Sequence, residues 1–592
     1  MKNNLILSSN KENISKDFCN IFLEERILFD FNKKDLKKFN YFVADSVLYK
    51  NQDRRNSFIL CENIFNSIIG DIYLNLNNIH NISWSKRSWE ILIGFWVKKF
   101  IYIIFYKFKL LENIIFKNDI NKVFLSYSKT GFLASHESDT IQDLSINTDW
   151  SWILTSKIFE YLDAKNIIVE KSENPKNDFY ENNTFYKRAN VNSSFVKKKF
   201  VNFISFLNKL LSKNNNLIVT TYLPRLKEKQ LEMMFCQLPR FYYPNEIEYN
   251  PINIDLRKKL NLYKVEKEIS VVEKIVRELI PSYLPTLAIE NFKQLKIAAY
   301  KNNYPSNPKF IFTSNSFEAD EAFKFYLANI ISSNKNPKYF VGQHGNSYFT
   351  RIDNNYNNEL LTCDYFLAWG KYNTGSSKII NLFNFKLPNE KKIKEIKEKL
   401  TVVFRSLGYQ TVPYDRWREG KKELFLAKQF LLYCPDNFKK NIHLRLHDSF
   451  KKRYKFFVED FLNGLNNINR DFGEENYETI IENSKIVVFT YDSTGFLENI
   501  LLNKPSICLY PDTFNHLNQD CHEIYKNLKD QNIIFDDPKK LYEHIMSIWS
   551  NVDLWWSSDK VKSTINRFKS LFSQSGGKKS LSLLKGALVN KL

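Results

Sequence analysis

Glycine is scarce in this chain, fifteen residues in 592, and cysteine scarcer still at seven. The cysteines, at positions 19, 61, 236, 363, 434, 508 and 521, are odd in number and form no C-x-x-C pair. That excludes a disulfide framework and a zinc ribbon, and predicts buried free thiols in a reducing cytoplasm. No P-loop, no G-x-S-x-G elbow and no H-E-x-x-H helix occurs, which removes P-loop NTPases, serine hydrolases and zincins. No D-x-D follows a predicted strand, which counts against a metal-dependent glycosyltransferase. The opening segment MKNNLILSSNKEN has a four-residue apolar run, too short for a secretion signal. The most membrane-like stretch, Trp89 to Phe108, is cut in half by Lys98 and Lys99 and predicts a buried helix instead of a span.

Positive charge and aromatic residues are abundant. The formal charge is +21, yet the lysine richness runs the whole length with no recognition helix or zinc spacing, so nucleic acid is not the expected partner. Two basic stretches stand out. Val196 to Lys213 would place Phe200, Phe203, Ile204, Leu207 and Leu211 on one helical face, and the tail after Asp559 carries eight Lys or Arg and no acid. Either is suited to peripheral contact with an anionic membrane at the inner face of the cytoplasmic membrane. A solvated basic side on a core-facing helix is the plainer alternative.

Short apolar runs alternate with amphipathic stretches over the C-terminal two thirds: LIVTTY, KFIFTSN, KYFVGQHG, DYFLAWG, TVVFRS, NIHLRLH, KIVVFTY, PSICLYP and NIIFDD. This is the pattern of parallel sheets with crossover helices, an α/β fold. The predicted divisions are a largely helical region over 1–215, a first Rossmann-like domain on the acceptor side over 216–385, and a nucleotide-donor-binding Rossmann-like domain with a basic helical tail over 386–592.

Ligands of open parallel sheets sit at the carboxyl ends of the strands, so the residues there are the candidates. His344 stands between Gly342 and Gly345 in YFVGQHGNSYFTR, the lone histidine between His136 and His443. An imidazole at a strand end can take a proton from a hydroxyl, with Gln343 and Gly345 beside it, the glycine allowing positive φ or close approach. A satisfied structural histidine is the alternative. In IVVFTYDSTGFLENILLNKPSICLYPD a strand runs through Asp492, Ser493, Thr494 and Gly495 into a helix. Ser and Thr there are ordinary caps, while the helix terminus also suits a phosphate, with Glu498 placed for ribose hydroxyls. His443, Arg445 and His447 alternate, so a strand would give them one face. Arg445 and His447, with Arg405 after TVVFRS, are the expected anion-binding cations. No metal ligand set is expected.

In order, GQHG, VVFRS, HLRLHD and FTYDSTGFLENILLNKPSICLYPD resemble the C-terminal organisation of two-Rossmann-domain (GT-B) transferases of bacterial surface polymers, distantly the teichoic-acid glycerophosphotransferases. The chain more closely resembles a transferase family of O-antigen or surface-carbohydrate biosynthesis. The shared features are Thr313 to Phe317 with Asp320, Phe323 and Lys324, then His344, Trp369 and Asp553 to Trp556. The resemblance implies two domains facing a cleft, His344 as general base, His447 at the donor phosphates, and Ser493 and Thr494 as the hydroxyl pair at the phosphate-binding helix. Two departures, Asp448 where the relatives have proline and Thr490-Tyr491-Asp492-Ser493-Thr494 in place of Thr-Asp-Tyr-Ser-Ser, argue for a nucleotide sugar, CMP-linked included, over a CDP-polyol. The expected partners are then a nucleotide-sugar donor and a glycan or lipid-linked glycan acceptor, with no cofactor and no metal. The alternatives are a polyol-phosphate transferase and a non-catalytic scaffold of the assembly machinery.

Overall fold

The structure is a computed structural model. It describes residues 2–171, 203–204, 207, 216–241, 247–262, 268–386 and 398–592, except positions 49, 129–130, 334, 336, 347, 373, 407, 409–410, 453–454, 466 and 512–513. The basic stretch 196–213 lies almost wholly outside these residues.

Three parallel sheets organise the chain. The first holds β1 (Asn3–Ile6), β2 (Cys19–Phe22), β3 (Tyr41–Val43), β4 (Ile120–Leu125) and β5 (Ile168–Lys171) in the order β3-β2-β1-β4-β5. The second holds β6 (Leu217–Ile218), β7 (Phe310–Thr313), β8 (Lys338–Gly342), β9 (Tyr365–Ala368) and β10 (Ile379–Asn381), stacked in sequence order. The third holds β11 (Leu400–Val403), β12 (Ile442–Arg445), β13 (Asn469–Asp471), β14 (Ile486–Phe489), β15 (Ser506–Leu509) and β16 (Ile534–Phe535). Its order, β13-β12-β11-β14-β15-β16, reverses direction between β11 and β14. Strands β7, β11, β14 and β15 are buried at every position. Their Val, Ile and Phe runs therefore do not alternate, as a sheet covered on both faces requires.

The N-terminal region carries a parallel sheet beside its helices. Its strands are short and widely spaced, and β5 is exposed throughout, so no long apolar run marks them. Helices do dominate that region by length: α1 (Asn51–His80) and α2 (Lys86–Lys117) pack as a long pair. The apolar stretch 89–108 lies inside α2 and is largely buried against neighbouring helices. Among the described residues no helix is long and apolar enough to cross a membrane. Gly94 lets α2 meet Asn358 closely, whose amide donates to the Glu90 carbonyl at 2.9 Å.

After β16 the chain turns back. Helix Asp559–Phe572 and the residues behind it run onto the second sheet, where Gln574 N–H donates to Trp369 O (2.8 Å) and Lys371 N–H to Ser570 O (2.8 Å). A Cβ at Gly370 would overlap the Leu571 carbonyl, so glycine is needed at this crossing. Six cysteines are buried, Cys236 is exposed, and all seven are free.

Candidate active site

The carboxyl ends of β8 and β14 face each other. Gly345, two residues beyond His344's strand-side neighbour, has no positive φ; its missing side chain instead leaves room for Thr494, whose Oγ1 would be 3.3 Å from a Cβ there. Asn346 joins the two ends. Its N–H donates to Thr494 Oγ1 (2.9 Å) and its side-chain amide to Asp492 Oδ1 (2.7 Å). Asp492 also accepts from Tyr525 Oη at 3.2 and 3.1 Å and is buried. It joins the segment after β8 to the segment after β14.

His344 lines a cavity of about 500 Å³ shared by all three sheet regions. Tyr348 Oη lies 2.8 Å from His344 Nδ1 and donates its proton to Glu359 Oε1, also at 2.8 Å. A phenol has one proton to give; when an ionised Glu359, whose carboxyl burial pushes up, takes it, Nδ1–H of the imidazole donates to the tyrosine and Nε2 carries the free lone pair. Burial, and after it the charge of Lys386, lowers the histidine to about 4, so the ring is neutral at physiological pH. Tyr222 stacks on it at 5.8 Å. Gln343 bonds Gly345 O (2.8 Å) and accepts from Trp369 N–H (2.8 Å), which fixes the backbone on which the histidine stands.

The expected phosphate-binding groups are arranged differently. Ser493 caps helix Thr494–Leu501: its Oγ accepts from Gly495 N–H (3.0 Å) and its carbonyl from Phe496 N–H (3.1 Å). Gly495 is required by packing, since a Cβ would lie 2.5 Å from Tyr477 Oη. Glu498 pairs with Lys386 at 3.0 Å instead of facing the cavity. Arg405 is held by Glu419 (3.3 Å) and Glu423 (2.8 Å), and Arg445 by Asp471. Strand β12 ends at Arg445, so His443, Arg445 and His447 do not form one strand face; His447 is exposed, with Asp448 2.9 Å from its Nδ1. Of the expected set, His344, Gly345 and Thr494 line the cavity.

Ser406, at the end of a predicted strand, lines the cavity too, and residues that the sequence reading missed complete the wall: Lys99 of α2, Glu318, Tyr348, Glu359 and Arg416. One signal was there to read, a pair of lysines inside an apolar helix. Both line the cavity, Lys98 paired with Glu62 (2.5 Å) and Lys99 without an ion-pair partner among the described residues. Below the cavity Glu419 receives Arg54 (3.1 Å), Arg405 (3.3 Å) and Arg351 (3.6 Å) from three distant segments. Burial opposes its charge, but those arginines pull its carboxyl well below the usual range. Among the described residues no cluster of three or more His, Cys, Asp or Glu is arranged to hold a metal ion.

Two parallel-sheet domains that meet across a cleft at their strand ends, with the C-terminal helix crossing back to the first of them, define a GT-B-like α/β protein. Residues 3–587 match the profile described as LIC12162 family transferase, and the chain belongs to that family. No curated protein matches the sequence. Among solved structures it is similar to UDP-GlcNAc 2-epimerase from Neisseria meningitidis bound to UDP-GlcNAc (10% identity, 80% of this chain, 100% of that chain, TM-score 0.30). It is also similar to Acinetobacter baumannii MurG (8%, 51% and 79%, 0.28) and to WaaG, a glycosyltransferase involved in lipopolysaccharide biosynthesis (10%, 50% and 94%, 0.27).

Proposed function

We propose that this transferase moves a sugar from a nucleotide-activated donor to a surface-polysaccharide or O-antigen acceptor, with His344 as general base. The observation that carries this reading is the Glu359–Tyr348–His344 chain, which holds a neutral imidazole with Nε2 as its basic atom in the wall of the interdomain cavity. Nε2 takes the proton of the acceptor hydroxyl as that oxygen attacks the anomeric carbon, and the nucleotide leaves with the bonding electron pair. The cavity reaches Ser406 and Thr494, just beyond β11 and β14 where the strand order of the third sheet reverses. That crevice is the usual ligand position in such sheets. Fixed cations in the wall support a reaction without divalent metal, so activity is expected to survive EDTA. The basic tail, with Leu583 and Leu592 exposed among its lysines, supports contact with an anionic membrane surface.

The test begins with a thermal-shift panel of CMP, CDP, UDP, GDP and their sugars on the full chain to find the donor. His344→Ala should then keep the nucleotide shift and lose transfer by about 10²–10⁴-fold, the usual size of a general-base loss. A wild-type protein that responds to no nucleotide, or a variant with near-normal turnover, would overturn the reading.

A further inference from the structure

Buried cations in this protein are generally paired: Lys98 with Glu62, Arg54 with Glu419, Arg351 with Asp353 and Arg405 with Glu423. Two half-buried cations in the cavity wall, Lys99 and Arg416, make no ion pair among the described residues. Lys99 makes only ring contacts, to Phe95 and Tyr102 at 5.6 Å each, and no carboxylate lies within ion-pair distance of it among the described residues. Arg416 opens the helix Arg416–Tyr433, and its buried Nε has no hydrogen-bond partner. Its side chain lies over Gly408, where a Cβ would sit 2.7 Å from Nε. The carboxylates on the same wall are already engaged: Asp353 by Arg351 (3.0 Å), Glu359 by Tyr348 (2.8 Å), and Glu318 by the Gln142 side chain. Even partial burial of cations without ion-pair partners is costly, and here two line one roomy polar cavity whose acids, Asp353, Glu359 and Glu318, attract Lys99 only beyond ion-pair distance.

We infer that Lys99 and Arg416 together seat a phosphoryl group of the substrate, a site completed only when the N-terminal helix pair and the third sheet meet over His344. The inference rests on the transferase reading above and names its anion subsite. It explains why the expected cations are absent from the cavity: Arg405 and Arg445 are neutralised, and the amides at the helix after β14 are capped by Ser493. The phosphoryl group can come from a nucleotide donor or from a lipid-linked diphosphate acceptor. The nearness of Ser406, Gly408 and Thr494 favours the donor. Burial, and then the charge of Arg416, lowers Lys99 to about 8, so the ammonium is still charged at neutral pH and an anion would raise its pKa.

The experiment is calorimetric titration of the full chain with the nucleotide panel, inorganic pyrophosphate and a short-chain prenyl diphosphate. It compares wild type, Lys99→Gln, Arg416→Gln, the conservative Lys99→Arg and His344→Ala. Each Gln variant should weaken binding about tenfold to a hundredfold, the range for charge-assisted hydrogen bonds. Lys99→Arg should recover part of it, and His344→Ala should bind normally. Melting temperatures should hold or rise in the Gln variants, because an uncompensated charge is removed; a purely structural role would lower them. Loss confined to nucleotides and pyrophosphate assigns the seat to the donor, and loss confined to the prenyl diphosphate assigns it to the acceptor. Unchanged affinity for all three classes in both Gln variants overturns the inference while leaving His344 to its own test. A wild-type chain that binds none of them overturns both.

Discussion

The carboxyl end of β8 and the carboxyl end of β12 each present a histidine, and the two ends differ in what surrounds them. After β8, His344 is held on one side by Tyr348 and Glu359, and its other nitrogen is left free in a cavity. After β12, Arg445 meets Asp471 and His447 stands in solvent beside Asp448. The two segments are equally polar and equally well placed on their sheets. Whether a polar group is available for chemistry depends on the partners that the fold brings to it: Tyr348, itself bonded to Glu359, occupies only Nδ1 of His344, and Asp471 cancels Arg445.

The largest effect that tests this contrast is His344→Ala, with the loss of turnover given above, set against His447→Ala, which should leave transfer within a few-fold of wild type. Matched turnover assays decide it, and equal losses would erase the distinction between the two strand ends. Glu419→Ala comes next. It removes the carboxylate that Arg54, Arg351 and Arg405 share in the interior, and breaking a buried ion pair from one side costs about 3–5 kcal/mol. Urea unfolding should show that loss, with a low yield of folded protein as the extreme case.

Tyr348→Phe should lower kcat by about tenfold to a hundredfold with little change in nucleotide affinity, because the ring stays while the tautomer of His344 is no longer fixed. A pH profile sharpens the same point. His344 is lowered, so it accepts a proton only as pH falls through about 4, and Lys99 loses its charge as pH rises through about 8. kcat/KM should therefore stay level between those limits, with no break near the ~6.5 of an ordinary histidine. The stability linkage has the matching sign: the unfolded chain binds the His344 proton more readily, so that contribution is complete above about 6.5 and is lost as pH falls toward 4. The smallest effect is Ser493→Ala, a lost cap worth about 0.5–2 kcal/mol in thermal unfolding with nucleotide affinity retained.

The parallel sheets of the C-terminal two thirds were legible from sequence because strands buried on both faces must be continuously apolar, as in Ile486–Phe489 and Ser506–Leu509. The position of His344 at a strand end, the cap at Ser493 and the burial of the 89–108 helix were legible for equally local reasons: a turn, a helix start and a charge pair inside an apolar run. The first sheet was not, since strands of three to six residues, one of them exposed throughout, leave no long apolar run. The anion seat was not legible either. Lys99 and Arg416 are separated by more than three hundred residues, and nothing near either in sequence shows that one lysine of a pair would find Glu62 while its neighbour found none. Local sequence determines which backbone shape a segment adopts and which residues stand at its ends. Folding alone decides which charges are cancelled, because electrostatic pairing acts over a few ångströms of space without regard to distance along the chain.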